Sequence, residues 1–429
     1  MIRSTFRVAM VLGACLTAAA PALGGGFSIF EQGSKAMGMA GAFTAQADDP
    51  SALYHNVGGL AFTERRRVAV GATWIQSTDE SFVGEPPGLA TGQSGSLESL
   101  AELVPHIYWV QPVNPRWSFG LAVNSPFGLK TEWRDPDVFA GRFLNTEASL
   151  LVIDVSPNVG VKISERLGVG FGLVVRSSEV ELNRRLPTFD PLSGGVVDAA
   201  AVAIESDMEQ GVGWQAGLLY RYNPSFSLGF SYRSGIEVEY AGTGRLTQIP
   251  TGNPPLDELI RATLPLDQDL PVESEIDFPA TASLGALFAV SRRTKVEIDV
   301  NWAGWSSFDV VPIRFPSAPL LSGERVELWD DAFNYRVGAR FERPSGSEWR
   351  MGVVYDESPQ PDASVSPLLP DADRVGYTVG WGRPFGGSQV DLALMYLDFE
   401  ARSTRGASRD FFNGTYSQTG WLFAATVTF

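Results

Sequence analysis

The chain has 429 residues, a formal net charge of −16, 45 glycines and one cysteine. The acidic balance argues against a nucleic-acid partner, and the lone Cys15 excludes a disulfide framework or a thiolate metal site. After the leader no apolar run is long enough to cross a membrane as a helix.

In chain order, residues 1–24 read as a secretory signal. Arg3 and Arg7 give a positive start, Val8–Ala20 is an apolar run, and Ala20-Pro21-Ala22 offers a small-x-small cleavage site. Cleavage is expected between about Ala22 and Gly25. Cys15 lies in a stretch that resembles a lipoprotein box, but the better site downstream favours ordinary cleavage. From Gly24 to Ala61 the chain holds eight Gly and seven Ala in 38 residues. Small residues bury little area each, so this segment would hardly fold alone. It lacks a period of 2 and reads as a plug that needs walls around it.

The walls follow. Trp117, Phe119, Leu121 and Val123 oppose Ser118, Gly120, Ala122 and Asn124. Phe226, Leu228, Phe230 and Tyr232 alternate in the same way with Ser227, Gly229, Ser231 and Arg233. Val296–Trp302, Phe333–Phe341 and Trp349–Tyr355 repeat the pattern, which puts each set on one face of a strand. Short turns near 114–116, 164–166, 222–225, 291–294, 343–347 and 385–387 alternate with long polar or Pro-rich stretches. The long ones are roughly 78–101, 126–147, 182–205, 242–272, 311–324, 357–373 and 401–415. Seven long and six short connections join about fourteen strands, an even number with the loop asymmetry of a bacterial outer-membrane barrel. A soluble sandwich has no reason to segregate loop length by end. Trp421, Phe423, Ala425, Val427 and Phe429 form a lipid-facing closing strand. Trp74, Trp109, Trp302, Trp305 and Trp381 suit interfacial girdles. The expected fold is therefore all-β: a transmembrane antiparallel β-barrel of about fourteen strands (65–429) with an N-terminal plug or hatch (25–64) in the lumen, in the bacterial outer membrane.

Several strings then point to a family. Gly25-Gly26-Phe27 followed by GMAGAFTAQADDPSALYHN, SPFGLKTEW at 125–133, DVSPNVGVKISERLGVGFGL at 154–173, and YRVGARFE with the stretch ending at Arg374 occur in the order found in FadL-type outer-membrane transporters. The chain resembles that family over nearly the whole mature sequence. The resemblance implies passive transport of hydrophobic molecules, foremost long-chain fatty acids, through a lumenal pocket with a lateral exit. It implies ligand contacts at Phe27, at Phe127, at the external-loop residues Leu256, Leu259 and Ile260, and at Arg336. It implies hatch and gating roles for Asn56, Val57 and Gly58, and for Gly120 in the strand that bends inward. Asn56-Val57-Gly58 stands where the family has Asn-Pro-Ala. Gly relaxes the backbone that Pro would fix, so a looser or differently set hatch is expected.

Other chemistry is weighed against blander readings. His55 lies near Asp48 and Asp49, but such groups in a turn-rich segment usually cap and hydrogen-bond. His106 reads as structural. An outer-membrane lipase would need a Ser nucleophile beside a His, and no G-x-S-x-G is present. A closer rival is a general diffusion porin, which would want an open polar lumen rather than a small-residue plug; an aromatic hydrocarbon uptake channel is the other alternative. Arg176, Arg336, Arg340 and Lys162 are candidate cations for a ligand carboxylate, though inward Arg often pair with acids such as Asp299 and Glu342. The expected partners are hydrophobic small molecules and outer-membrane lipid around a monomer, with no cofactor and no metal.

Overall fold

A computed structural model describes residues 25–99 and 101–429, so the expected signal peptide and Cys15 lie outside the described residues. Fourteen strands close one antiparallel ring. They are β1 (Arg67–Gly84), β2 (Ala101–Pro112), β3 (Trp117–Asn124), β4 (Glu147–Lys162), β5 (Leu167–Asp190), β6 (Glu209–Asn223), β7 (Phe226–Arg233), β8 (Thr281–Ala289), β9 (Thr294–Ala303), β10 (Ala332–Glu342), β11 (Glu348–Asp356), β12 (Arg374–Phe385), β13 (Ser388–Phe399) and β14 (Gly414–Thr428). Each pairs with its neighbours in this series, and β14 returns to β1 with Val70 opposite Val427 and Trp74 opposite Phe423. Closure gives every strand two partners, the condition for a sheet to survive in lipid.

The period-2 faces fall as the pattern requires. On β3, Ser118, Gly120, Ala122 and Asn124 are buried toward the lumen, while Trp117, Phe119 and Leu121 face outward. Trp305 departs from its expected girdle position. It is 1% exposed in the connection after β9, packed under the N-terminus instead of at the lipid boundary.

The wall is taller on one side. β5 runs for 24 residues, about twice what a tilted strand needs to cross a bilayer. Its upper half pairs with Gly195–Ser206, which pairs with Ile236–Gln248. That strand pairs with Asp269–Phe278, and the sheet continues through Val310–Arg314 to Gly323–Val326. The long connections thus build a second tier of sheet above the ring.

Gly25–Ala61 lies inside the ring. Only Ser28, Lys35, Asp48, Asp49 and Tyr54 in this stretch fall short of full burial. Inward-facing strand glycines leave room for its backbone. A Cβ on Gly338 would lie 2.6 Å from the Met39 carbonyl oxygen, and one on Gly380 would lie 2.8 Å from the Gly38 Cα. Carboxylates of β9 hold it. Asp299 accepts the Phe43 and Thr44 amides at 3.0 Å each, and Glu297 accepts those of Ala45 and Gln46. Asn56 is wholly buried; its Nδ2 donates to the Thr44 carbonyl at 2.7 Å and to that of Leu218 on β6 at 3.0 Å, and its Oδ1 accepts the Gly58 amide at 2.9 Å.

At Val57-Gly58 the hatch is set by close packing against the wall. Gly58 is buried with ordinary backbone angles, and a Cβ there would lie 2.8 Å from the backbone of Leu218 and Leu219. Close approach to the wall, not conformational freedom, calls for this glycine. Val57 packs with Leu53 and Leu60 against Tyr108 and Val110 of β2.

Candidate functional site

Above the N-terminal segment, within the second tier, lies an apolar cavity of about 480 Å³. Its sides are Leu129, Leu150, Val180, Leu182, Val202, Ile204, Val272, Ile276 and Ile313, with Phe308 and Phe315 from the connection after β9. Phe27 lines it and sits in a cage of rings. Its centroid lies 4.7 Å from Trp305, 5.3 Å from Phe308, 5.9 Å from Phe127 and from Trp329, and 6.0 Å from Phe278. Mutual edge-to-face packing of this kind adds to the area that the rings bury. Gly26 makes the cage possible. Its φ of +67° lies in the left-handed region, and a Cβ there would lie 2.6 Å from Trp305 and 2.7 Å from Trp329.

The segment that carries Phe27 is held by one strand of the wall and by one loop. Ser28 bridges to Phe127; the Ile29 amide donates to the Pro126 carbonyl at 2.8 Å, and the Gly128 amide to that of Phe27 at 3.0 Å. Gln32 Nε2 donates to the Ser125 carbonyl at 2.7 Å. From the connection at 357–373, Asp371 accepts the Gly26 amide at 3.2 Å and the Ser358 hydroxyl at 2.6 Å. Burial pushes the Asp371 carboxyl up to about 6, against the opposing pull of Ser358 and Arg374.

The same contacts open a window in the wall. β2 pairs with β3 only from Ile107 to Pro112. Ala101–His106 has β1 on one side and, among the described residues, no strand ladder on the other. β3 stops at Asn124 because Ser125-Pro126-Phe127 turns into the lumen; Pro126 has no N–H to give a ladder. The chain rejoins β4 at Gly128–Glu132, and the Glu98 amide on the Glu132 carbonyl at 2.8 Å closes the gap above. The N-terminal residues 27–32 stand behind this opening. Gly120, expected beside the bend, lies lower, in a regular ladder between Val110 and Asn158 and against Leu53. The bend itself is at Ser125–Phe127.

Of the expected ligand residues, Phe27 lines the cavity, and Phe127 packs behind it with ring centroids 5.9 Å apart without lining it. Arg336 lies below, under the N-terminal segment; it donates to the Gly41 carbonyl at 3.2 Å and to Asn334 at 2.8 Å, and stacks on Phe30. Leu256 and Ile260, on a helix α1 (Pro254–Thr263), pack against Ala199, and Leu259 points to solvent. None of these three lines the cavity, because the helix rests on the outer side of the second tier.

The other candidate cations are engaged. Arg176 forks onto Asp154 with two contacts of 2.9 Å, Arg340 meets Asp48 at 2.9 Å, and Lys162 meets Glu165 at 2.8 Å. His55 bonds to the Gln32 carbonyl and His106 to Thr426, both as structural partners. A cation that sequence reasoning missed does face the cavity. Arg184 lines it and, among the described residues, has no hydrogen-bond or ion-pair partner for its side chain. The signal was present: Val180, Leu182, Arg184 and Leu186 continue the inward alternation of β5 past the point where a loop was expected.

Known proteins share this architecture. Residues 13–429 match the family model described as outer membrane protein transport protein (OMPP1/FadL/TodX). The chain belongs to that family. It is an outer-membrane β-barrel of a family of transport proteins. It is similar to the long-chain fatty acid transport protein of Escherichia coli K12, 24% identical over 410 residues and 87% of each chain. It is also similar to outer membrane protein P1 of Haemophilus influenzae, 22% identical over 431 residues, 91% of this chain and 90% of that protein. Among solved structures, a Pseudomonas aeruginosa FadL homologue superposes with a TM-score of 0.79 at 20% identity, covering 94% of this chain and 99% of the other. The Ralstonia pickettii toluene transporter TbuX follows at 0.68 and 18%, covering 93% and 99%.

Proposed function

We propose that this barrel carries long-chain fatty acids across the outer membrane. The alkyl chain is taken up by the apolar cavity, the carboxylate meets Arg184, and the cargo leaves sideways through the window once the Phe27 segment moves. The supporting observation is the pairing of an apolar cavity with one unpartnered guanidinium on its wall. An alkyl tail gains about 0.8 kcal/mol per methylene on leaving water. A desolvated carboxylate is costly unless paired, and a guanidinium offers it a two-pronged match. The N-terminal segment fills the lumen, so the straight path is plugged and small polar solutes have no open channel. Transport on this reading runs downhill, from the external medium into the bilayer. One chain closes the ring, so the whole path belongs to a single copy.

The alternative cargo is a monoaromatic hydrocarbon, favoured by the ring-lined base of the cavity and by the toluene transporter among the neighbours. Binding separates the two. Purified barrel is titrated with oleate and with toluene, using wild type and Arg184→Gln. The fatty-acid reading expects oleate affinity to fall about ten-fold in the variant, the loss of one charge-assisted contact, with toluene unchanged. Equal oleate affinity in both proteins contradicts it.

A further inference from the structure

The window carries a cation of its own. Glu102 shares the inward face of β2 with Val104, His106 and Tyr108. Lys130 lies between the buried Leu129 and Thr131 and faces the other way, outward. Because Gly128–Glu132 is displaced into the lumen, an inward-pointing acid and an outward-pointing base meet across the opening. Lys130 Nζ lies 3.2 Å from Glu102 Oε1, with side chains 27% and 14% exposed. The pair is the one side-chain tie that spans the gap among the described residues between β2 and this segment. Of the other acids on that face, Glu181 and Glu147 are both engaged by Asn183, at 2.9 and 3.1 Å.

Two ion pairs buried in the wall are built differently. Arg176–Asp154 and Arg374–Asp356 each make two contacts and are almost wholly buried. Removing a partner from such a fork leaves a stranded charge. Lys130–Glu102 is single, longer and partly wet, a pair easily exchanged. We propose that Lys130 is a second carboxylate contact, at the exit. Glu102 holds it while the window is empty and gives it up to the carboxylate of a departing fatty acid. The cation then offsets the cost of drawing a charged head group between apolar strands, and the ion pair bars the opening at rest. This rests on the reading that cargo leaves by this window.

The experiment uses the full chain in cells lacking other fatty acid uptake, with oleate and the uncharged oleyl alcohol as probes. Initial uptake rates are measured for wild type, Lys130→Gln, Glu102→Gln and the double variant, beside equilibrium oleate binding to each purified protein. Lys130→Gln is expected to slow oleate uptake about five-fold and, because the bar is gone, to speed oleyl alcohol, while equilibrium oleate binding changes little. Glu102→Gln lifts the bar and speeds both probes; the double variant speeds the alcohol alone. Uptake of both probes slowed alike by Lys130→Gln would make the pair merely structural and overturn the proposal, as would no effect on either. Loss of oleate binding in Arg184→Gln with intact binding in Lys130→Gln keeps the two readings separable. If oleate never binds the wild-type cavity, the cargo assignment fails first, and this proposal with it.

Discussion

Asp371 is a buried acid held against the N-terminal segment. It is 3% exposed, accepts the Gly26 amide, and takes its second bond from Ser358. Its folded value of about 6 stands above the ordinary 3.8 because burial disfavours the charge. A raised carboxyl contributes stability that is full below about pH 4 and is lost as pH climbs through 6. The groups around it are Arg374, Arg402, Gln360 and Ser358. The thermal midpoint of the purified barrel is therefore expected to fall between about pH 5 and pH 7. Asp371→Asn is expected to flatten that profile; an unchanged profile in the variant would remove Asp371 as its source.

At the scale of elements, the hatch and the wall are fitted backbone to backbone. Gly58 against β6 is the sharpest case, and Gly58→Ala forces a Cβ into 2.8 Å contact with the Leu218 carbonyl carbon. Overpacking of this kind costs about 1–3 kcal/mol, to be read as a lower midpoint in thermal unfolding of the purified barrel. A midpoint equal to wild type would mean that the hatch can shift without cost. Asn56 was singled out only by its match to the family motif, and Gly58 reads as freedom until the neighbouring strand is seen. Strand faces such as 117–124 and 333–341 were legible because lipid outside and small or polar groups inside impose a strict period of 2. The cavity was legible only in part. Phe27 lines it with Phe127 packed behind, yet no local pattern marks Phe278, Trp305, Phe308 and Trp329, which converge on Phe27 from separate stretches of chain. Arg184 lies where a regular strand outlasts the membrane, and a reading that ends strands at bilayer length stops short of it. Leu256 and Ile260 show the opposite error. Their helical spacing marks an apolar face, but spacing cannot say which surface that face covers.

For the whole molecule, the design is a closed ring whose lumen is occupied and whose wall has a window at Ala101–His106. Closure pairs most strand edges that would otherwise face lipid; among the described residues Ala101–His106 of β2 and Glu209–Trp214 of β6 have a ladder on one side only. At Ala101–His106 this is tolerable because the bent segment and the N-terminal residues stand directly behind it. The cavity, the Phe27 cage and the window then lie in sequence along one path that starts in the external tier and ends at the bilayer. Such a path suits molecules that prefer lipid to water at every step. The most direct test is uptake of labelled oleate, toluene and a small polar sugar by cells with and without this chain. The account predicts that oleate uptake depends on the chain and that sugar uptake does not. Sugar uptake that rises with the chain while oleate uptake stays flat would contradict it and mark an open porin.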